Sequence, residues 1–97
     1  MTRYVVLLNF SKEGVGAIKS SVDRAREFRA AAAKVGASVE SQYWTLGEYD
    51  GVFVLSAPDE ATAAALVLEL GRRSSVRTTM LRAFDEAEFK TIVEKVG

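Results

Sequence analysis

Cysteine and histidine are both absent from this 97-residue chain. Without cysteine there is no disulfide framework and no thiol chemistry. Without histidine the chain lacks the commonest general base and the commonest transition-metal ligand. The acidic groups Asp59-Glu60, Asp85-Glu86 and Glu88 fall at helix starts, where the helix dipole already accounts for them, so no metal constellation is expected. There is no excess of either charge: 13 Lys and Arg balance 13 Asp and Glu. A dedicated nucleic-acid or anionic-membrane binder usually carries a basic surplus, so neither partner is expected. No apolar run approaches the roughly 20 residues that span a bilayer. Met1-Thr2-Arg3 leads straight into a strand-like run, unlike a signal peptide, and the expected location is the cytoplasm. Gly14-Val15-Gly16 is too slight for a dinucleotide fingerprint, and no cofactor is expected.

What remains is a single domain, residues 1–97, with 48% hydrophobic residues, ample for a core. A chain this small buries only roughly 60–65% of its unfolded surface, and apolar surface left over favours association. Tyr4 to Phe10 is β-branched and apolar, too short for a helix, and reads as a buried strand. Ser11 opens a helix whose first turn Gly14 and Gly16 weaken. Ile18, Val22, Ala25, Phe28, Ala32 and Val35 recur at helical spacing, and Gly36 suits the closing residue. Val39–Leu46 and Gly51–Ser56 read as strands joined by a short reversal. Pro58-Asp59-Glu60 starts a second helix with Ala63, Leu66, Val67 and Leu70 inward and Gly71 as its stop. Val76–Phe84 is a fourth strand. Asp85 and Glu88 have capping-box spacing before a terminal amphipathic helix bearing Phe89, Ile92, Val93 and Val96.

The order strand, helix, strand, strand, helix, strand predicts an α+β fold. It is the ferredoxin-like βαββαβ plan with a C-terminal helix on an antiparallel four-stranded sheet. Both helices then lie on one face. The central strands are nevertheless apolar on both sides: Val5 and Leu7 oppose Val6, Leu8 and Phe10, and Val52 and Val54 oppose Phe53 and Leu55. A half-covered sheet should alternate. The terminal helix could cover part of the second face, but a second subunit is the better candidate, so a homo-oligomer is expected. RNA-recognition domains share this strand order, but need a basic residue and stacking aromatics on the third strand. Asp50-Gly51-Val52-Phe53-Val54-Leu55-Ser56 offers an acid and aliphatics instead.

The segment Trp44-Thr45-Leu46-Gly47-Glu48-Tyr49-Asp50 resembles the signature of the GYD-domain family. Gly14-Val15-Gly16-Ala17-Ile18-Lys19 is similar to that family's first helix opening, Ala57-Pro58-Asp59 to its second, and Val76 to Phe84 to its last strand. The resemblance covers nearly the whole chain in the right order and departs at Gly51, where many relatives are bulkier and β-branched. It implies a dimeric α/β-barrel type of assembly and no particular chemistry. A similar glycine-and-aspartate hairpin occurs in the effector domains of feast/famine-type regulators, where it helps form a ligand site between subunits; this is an analogy of fold.

Candidate ligand-binding or interface residues follow from the hairpin outward. Gly47, Glu48, Tyr49 and Asp50 form the reversal, where an aromatic hydroxyl and a carboxylate could bind a ligand or pack on a neighbour. Tyr43 and Trp44 point to opposite faces of their strand. Asn9 is a polar end to a greasy strand, and Arg82 could hold a carboxylate if it shared a cavity with Asn9. Lys19 and Arg24 read as solvated helix charges. Three functions fit: an oligomeric small-molecule-binding or regulatory protein, a small cofactor-independent oxygenase- or isomerase-type enzyme, or a structural assembly subunit.

Overall fold

The first strand, β1 (Thr2–Phe10), runs down the middle of the sheet, consistent with a segment apolar on both sides. A computed structural model describes residues 1–97 in full. In it β1 pairs antiparallel with β3 (Gly51–Ala57) on one edge and β4 (Val76–Ala83) on the other. β2 (Ser38–Trp44) pairs with the far edge of β3, completing the order β2-β3-β1-β4 with a bulge between Val39 and Ser41. This is the ferredoxin-like arrangement expected from the order of elements.

The region after β1 is broken where a single helix was expected. Ser11 caps α1 (Lys12–Gly16), its Oγ accepting the Gly14 N–H at 3.2 Å. A 3₁₀ turn (Ile18–Ser20) follows, and only then α2 (Ser21–Lys34). The glycines allow the break, and one of them is also required by space. A Cβ at Gly14 would collide with the Ser75 carbonyl oxygen, which accepts both the Ser11 N–H (2.9 Å) and its hydroxyl (2.6 Å). The break also narrows the expected apolar stripe. Ala25, Phe28 and Ala32 are buried, whereas Ile18, Val22 and Val35 stay about half exposed. The inward stripe of α2 passes through Ser21 rather than Val22, and Ile18 and Val35 lie outside the helix.

Helix α3 (Glu60–Ser74) begins at Asp59, whose carboxylate accepts the Thr62 N–H at 2.7 Å. It runs past Gly71, the expected stop. Glu69 bridges Arg72 and Arg73 at 2.6 and 2.5 Å across the last turn, and the helix ends at Ser75 in the left-handed conformation (φ 52°). α2 and α3 share one face of the sheet. Val6, Phe53 and Leu55 are fully buried beneath them, with Phe28 and Phe53 rings 5.1 Å apart.

The other face is open. By register, Val5 lies between Val54 and Leu81, and Leu7 between Val52 and Thr79. The four central aliphatics are half-buried, and Leu81 and Tyr43 are exposed. The last helix, α4 (Glu86–Val93), has the expected capping box (Glu88 N–H to Asp85, 2.8 Å; Asp85 N–H to Glu88, 3.0 Å). It does not cover the open face. It projects from the end of β4 with Phe89 and Val93 in solvent and stops short of Val96, which was expected on it, and the molecule extends 50 Å along its long axis.

Candidate functional site

The β2–β3 reversal is tied to the end of β1 by polar contacts from its own residues. Thr45 closes the loop, its N–H donating to the Asp50 carbonyl (3.0 Å) and its hydroxyl to the Tyr49 carbonyl (2.5 Å). Gly47 takes φ 129°, a conformation that side chains rarely adopt. The strand ends at Trp44, two residues short of the expected boundary, and leaves Leu46 wholly exposed. The Asp50 N–H donates to the Leu8 carbonyl (2.8 Å), while its carboxylate accepts the Phe10 N–H (2.8 Å). Asn9 Nδ2 donates to the Glu48 carbonyl at 2.8 Å. Asp50 and Asn9 therefore position the loop, through one carboxylate oxygen of Asp50 and the Nδ2 group of Asn9. Tyr49 is half-buried and Glu48 exposed.

Beside this loop, on the open face, Leu7, Thr45, Leu46, Glu48, Tyr49 and Val52 surround a depression of about 310 Å³. The structure thus brings together Asn9, Glu48, Tyr49 and Asp50. Tyr43 stands nearby on the same face, opposite Val52. Trp44 points the other way, toward the helices, where it borders a separate cleft.

Arg82 does not join them. It sits opposite Tyr4, on the helix face at the far end of the sheet, whereas Asn9 pairs with Arg77 on the open face. The Arg82 guanidinium lies 4.4 Å from the Phe84 ring centre and 3.7 Å from Glu88, and donates to the Arg3 and Ala83 carbonyls. A bidentate cradle formed by Asn9 and Arg82 is excluded by this separation.

Arg24 differs from expectation in the opposite sense. It is not a freely solvated charge: it is half-buried, with Nη1 donating to the Ser74 carbonyl at 3.1 Å. The signal lay in spacing. Ser21, Arg24, Ala25 and Phe28 fall at i, i+3, i+4 and i+7, the helical neighbours of one face. The Thr62 amide holds Asp59 below its ordinary 3.8, and Arg72 and Arg73 hold Glu69 below 4.5. The bonded Glu40 carboxylate raises Arg3.

Strand order, helix placement and an uncovered sheet face define a ferredoxin-like α+β domain. The backbone is similar to the crystal structure of MtbAldR, with a TM-score of 0.60 over 90% of this chain at 18% identity; the chain spans 58% of that protein's length. The chain belongs to the GYD-domain family, whose profile matches residues 4–93. It is 34% identical over 89 residues to a Thermus thermophilus protein named glutamine synthetase and cystathionine beta-lyase binding protein, covering 91% of this chain and 94% of the relative.

Proposed function

We propose that this chain is an oligomeric binding or regulatory protein. In this reading a second copy covers the open sheet face, and the Gly47-Glu48-Tyr49-Asp50 hairpin lies at the boundary between copies. The observation that carries this is the open face itself. Val5, Leu7, Val52, Val54 and Leu81 form an aliphatic surface at the centre of the sheet that nothing in the same chain covers. Contiguous apolar surface of this kind marks an interaction site. The name of the Thermus relative also supports binding over catalysis. In the hairpin, the Asp50 carboxylate already serves the Phe10 amide, which favours a positioning role over proton transfer.

Light scattering coupled to size exclusion at micromolar concentration tests the assembly. The expected mass is at least twice the 10.6 kDa chain mass, and a clean monomer peak overturns it. Tyr49→Ala then separates two roles for the hairpin. A lower assembly mass assigns Tyr49 to the interface, and unchanged assembly with lost ligand assigns it to a pocket.

A further inference from the structure

The helix side of the sheet holds a second concavity that shares no residue with the hairpin depression. It is a narrow cleft walled by Leu8, Phe10, Phe28, Leu70 and Val76, with Trp44 at its rim. Its origin is a size gradient along the facing helical segment. Phe28 fills the core, but the preceding inward positions Ala25, Ser21 and Ala17 are too small to reach the sheet. About 40 Å³ is free as the side chains stand, room for a few waters. Trp44 leaves 46% of its surface in solvent above this gap, although indole burial is among the largest apolar gains open to a side chain.

One charged group faces the same gap. Arg24 borders both this cleft and an adjoining groove of about 310 Å³ between α2 and α3. Its guanidinium makes one hydrogen bond, to the Ser74 carbonyl, and no carboxylate lies within 4 Å of it. In the groove, Glu69 is already bridged by Arg72 and Arg73, leaving Arg24 and Lys34 against Glu27. A half-buried arginine with spare donors at the mouth of an apolar slot suits one planar anionic head joined to an apolar body.

We infer that this cleft opens to bind a small monocarboxylate, the part-exposed Trp44 moving outward to admit its apolar body and Arg24 holding its carboxylate. The site is independent of the proposed assembly, because every group it uses comes from one chain. Trp44 is the only tryptophan, so its fluorescence reports occupancy directly. The probes are hexanoate and phenylacetate, each beside its neutral amide. Both carboxylates should shift Trp44 emission saturably at millimolar concentration and protect it from acrylamide quenching. The amides should bind about tenfold or more weakly, the worth of a charge-assisted hydrogen bond. Arg24→Met should weaken the carboxylates by about the same factor and leave the amides unchanged. Ser21→Leu, which fills the slot from the helix side, should abolish the response to both, with circular dichroism and assembly mass unaltered. No saturable response in the wild-type protein overturns the inference. So does a response that survives Ser21→Leu or ignores Arg24→Met in folded variants, since binding would then be elsewhere, at the hairpin depression included. None of these outcomes alters the mass measurement that tests assembly.

Discussion

Asp50 holds two strands together with three groups. Its N–H and carboxylate reach Leu8 and Phe10 of β1, and its carbonyl accepts from Thr45 across the loop. Asp50→Ala leaves the half-buried Phe10 amide without an acceptor, at a cost of about 1–3 kcal/mol. Asp50→Asn keeps a side-chain oxygen in place and should cost less than about 1 kcal/mol. Urea unfolding of the two variants measures the difference, and equal losses would show that the Phe10 contact contributes nothing. The need for a donor to Asp50 was legible from a short polar residue in a tight reversal. That the donor is an amide 40 residues earlier was not, because it depends on which strand lies beside β3. Tyr49 is half-buried, in line with an aromatic whose apolar ring gains from cover.

Among the elements, α3 and its cap hold two carboxylates whose ionised form the fold favours. The folded pKa of Asp59 is lowered by the Thr62 amide and that of Glu69 by Arg72 and Arg73. A depressed carboxylate contributes stability that is fully present above its unfolded value and lost as pH falls through the folded one. Stability should therefore hold steady through neutral pH and decline once pH drops below the ordinary values of 4.5 and 3.8. Glu69→Gln should be less stable than wild type at pH 7 and converge with it in acid, read from urea midpoints across pH. An unchanged gap at low pH would contradict the assignment. The cap of α4 was legible because an acid three residues ahead of its partner is a local pattern, and the start of α3 because Pro and acids gather at the positive end of a helix. The end of α3 was not. Gly71 looks like a stop in sequence, but ion pairs across the next turn carry the helix on to a left-handed Ser75.

For the whole molecule, the two faces of β1 and β3 predict different responses to mutation. Phe53 is 1% exposed and packs on Phe28, so Phe53→Ala should cost about 3–5 kcal/mol of unfolding free energy. A loss under about 1 kcal/mol would contradict its place in the core. Leu81, on the open face, is 47% exposed in the single chain. Leu81→Glu should leave the secondary structure intact and lower the assembly mass, because it sets a charge in the apolar surface that a second copy would cover. If light scattering shows unchanged mass, association uses another surface, for which the exposed stripe of α4 is available.

Local chemistry determined much of this protein. Hydrophobic period set the elements, short reversals and right-handed crossovers set the ferredoxin-like order, and the doubly apolar central strands set the open face in advance. Those properties depend on neighbours within a few residues or on general rules of chain connection. Only tertiary structure decided the rest. Gly14 is required by the Ser75 carbonyl, a group that meets it from the end of another helix. Arg82 and Asn9 parted because strand register put them at opposite ends and on opposite faces. Trp44 and Arg24, from different elements, border one cleft because small residues near the start of α2 leave space there. Close approach between segments distant in sequence has no local pattern, since it is set by the packing of the whole chain.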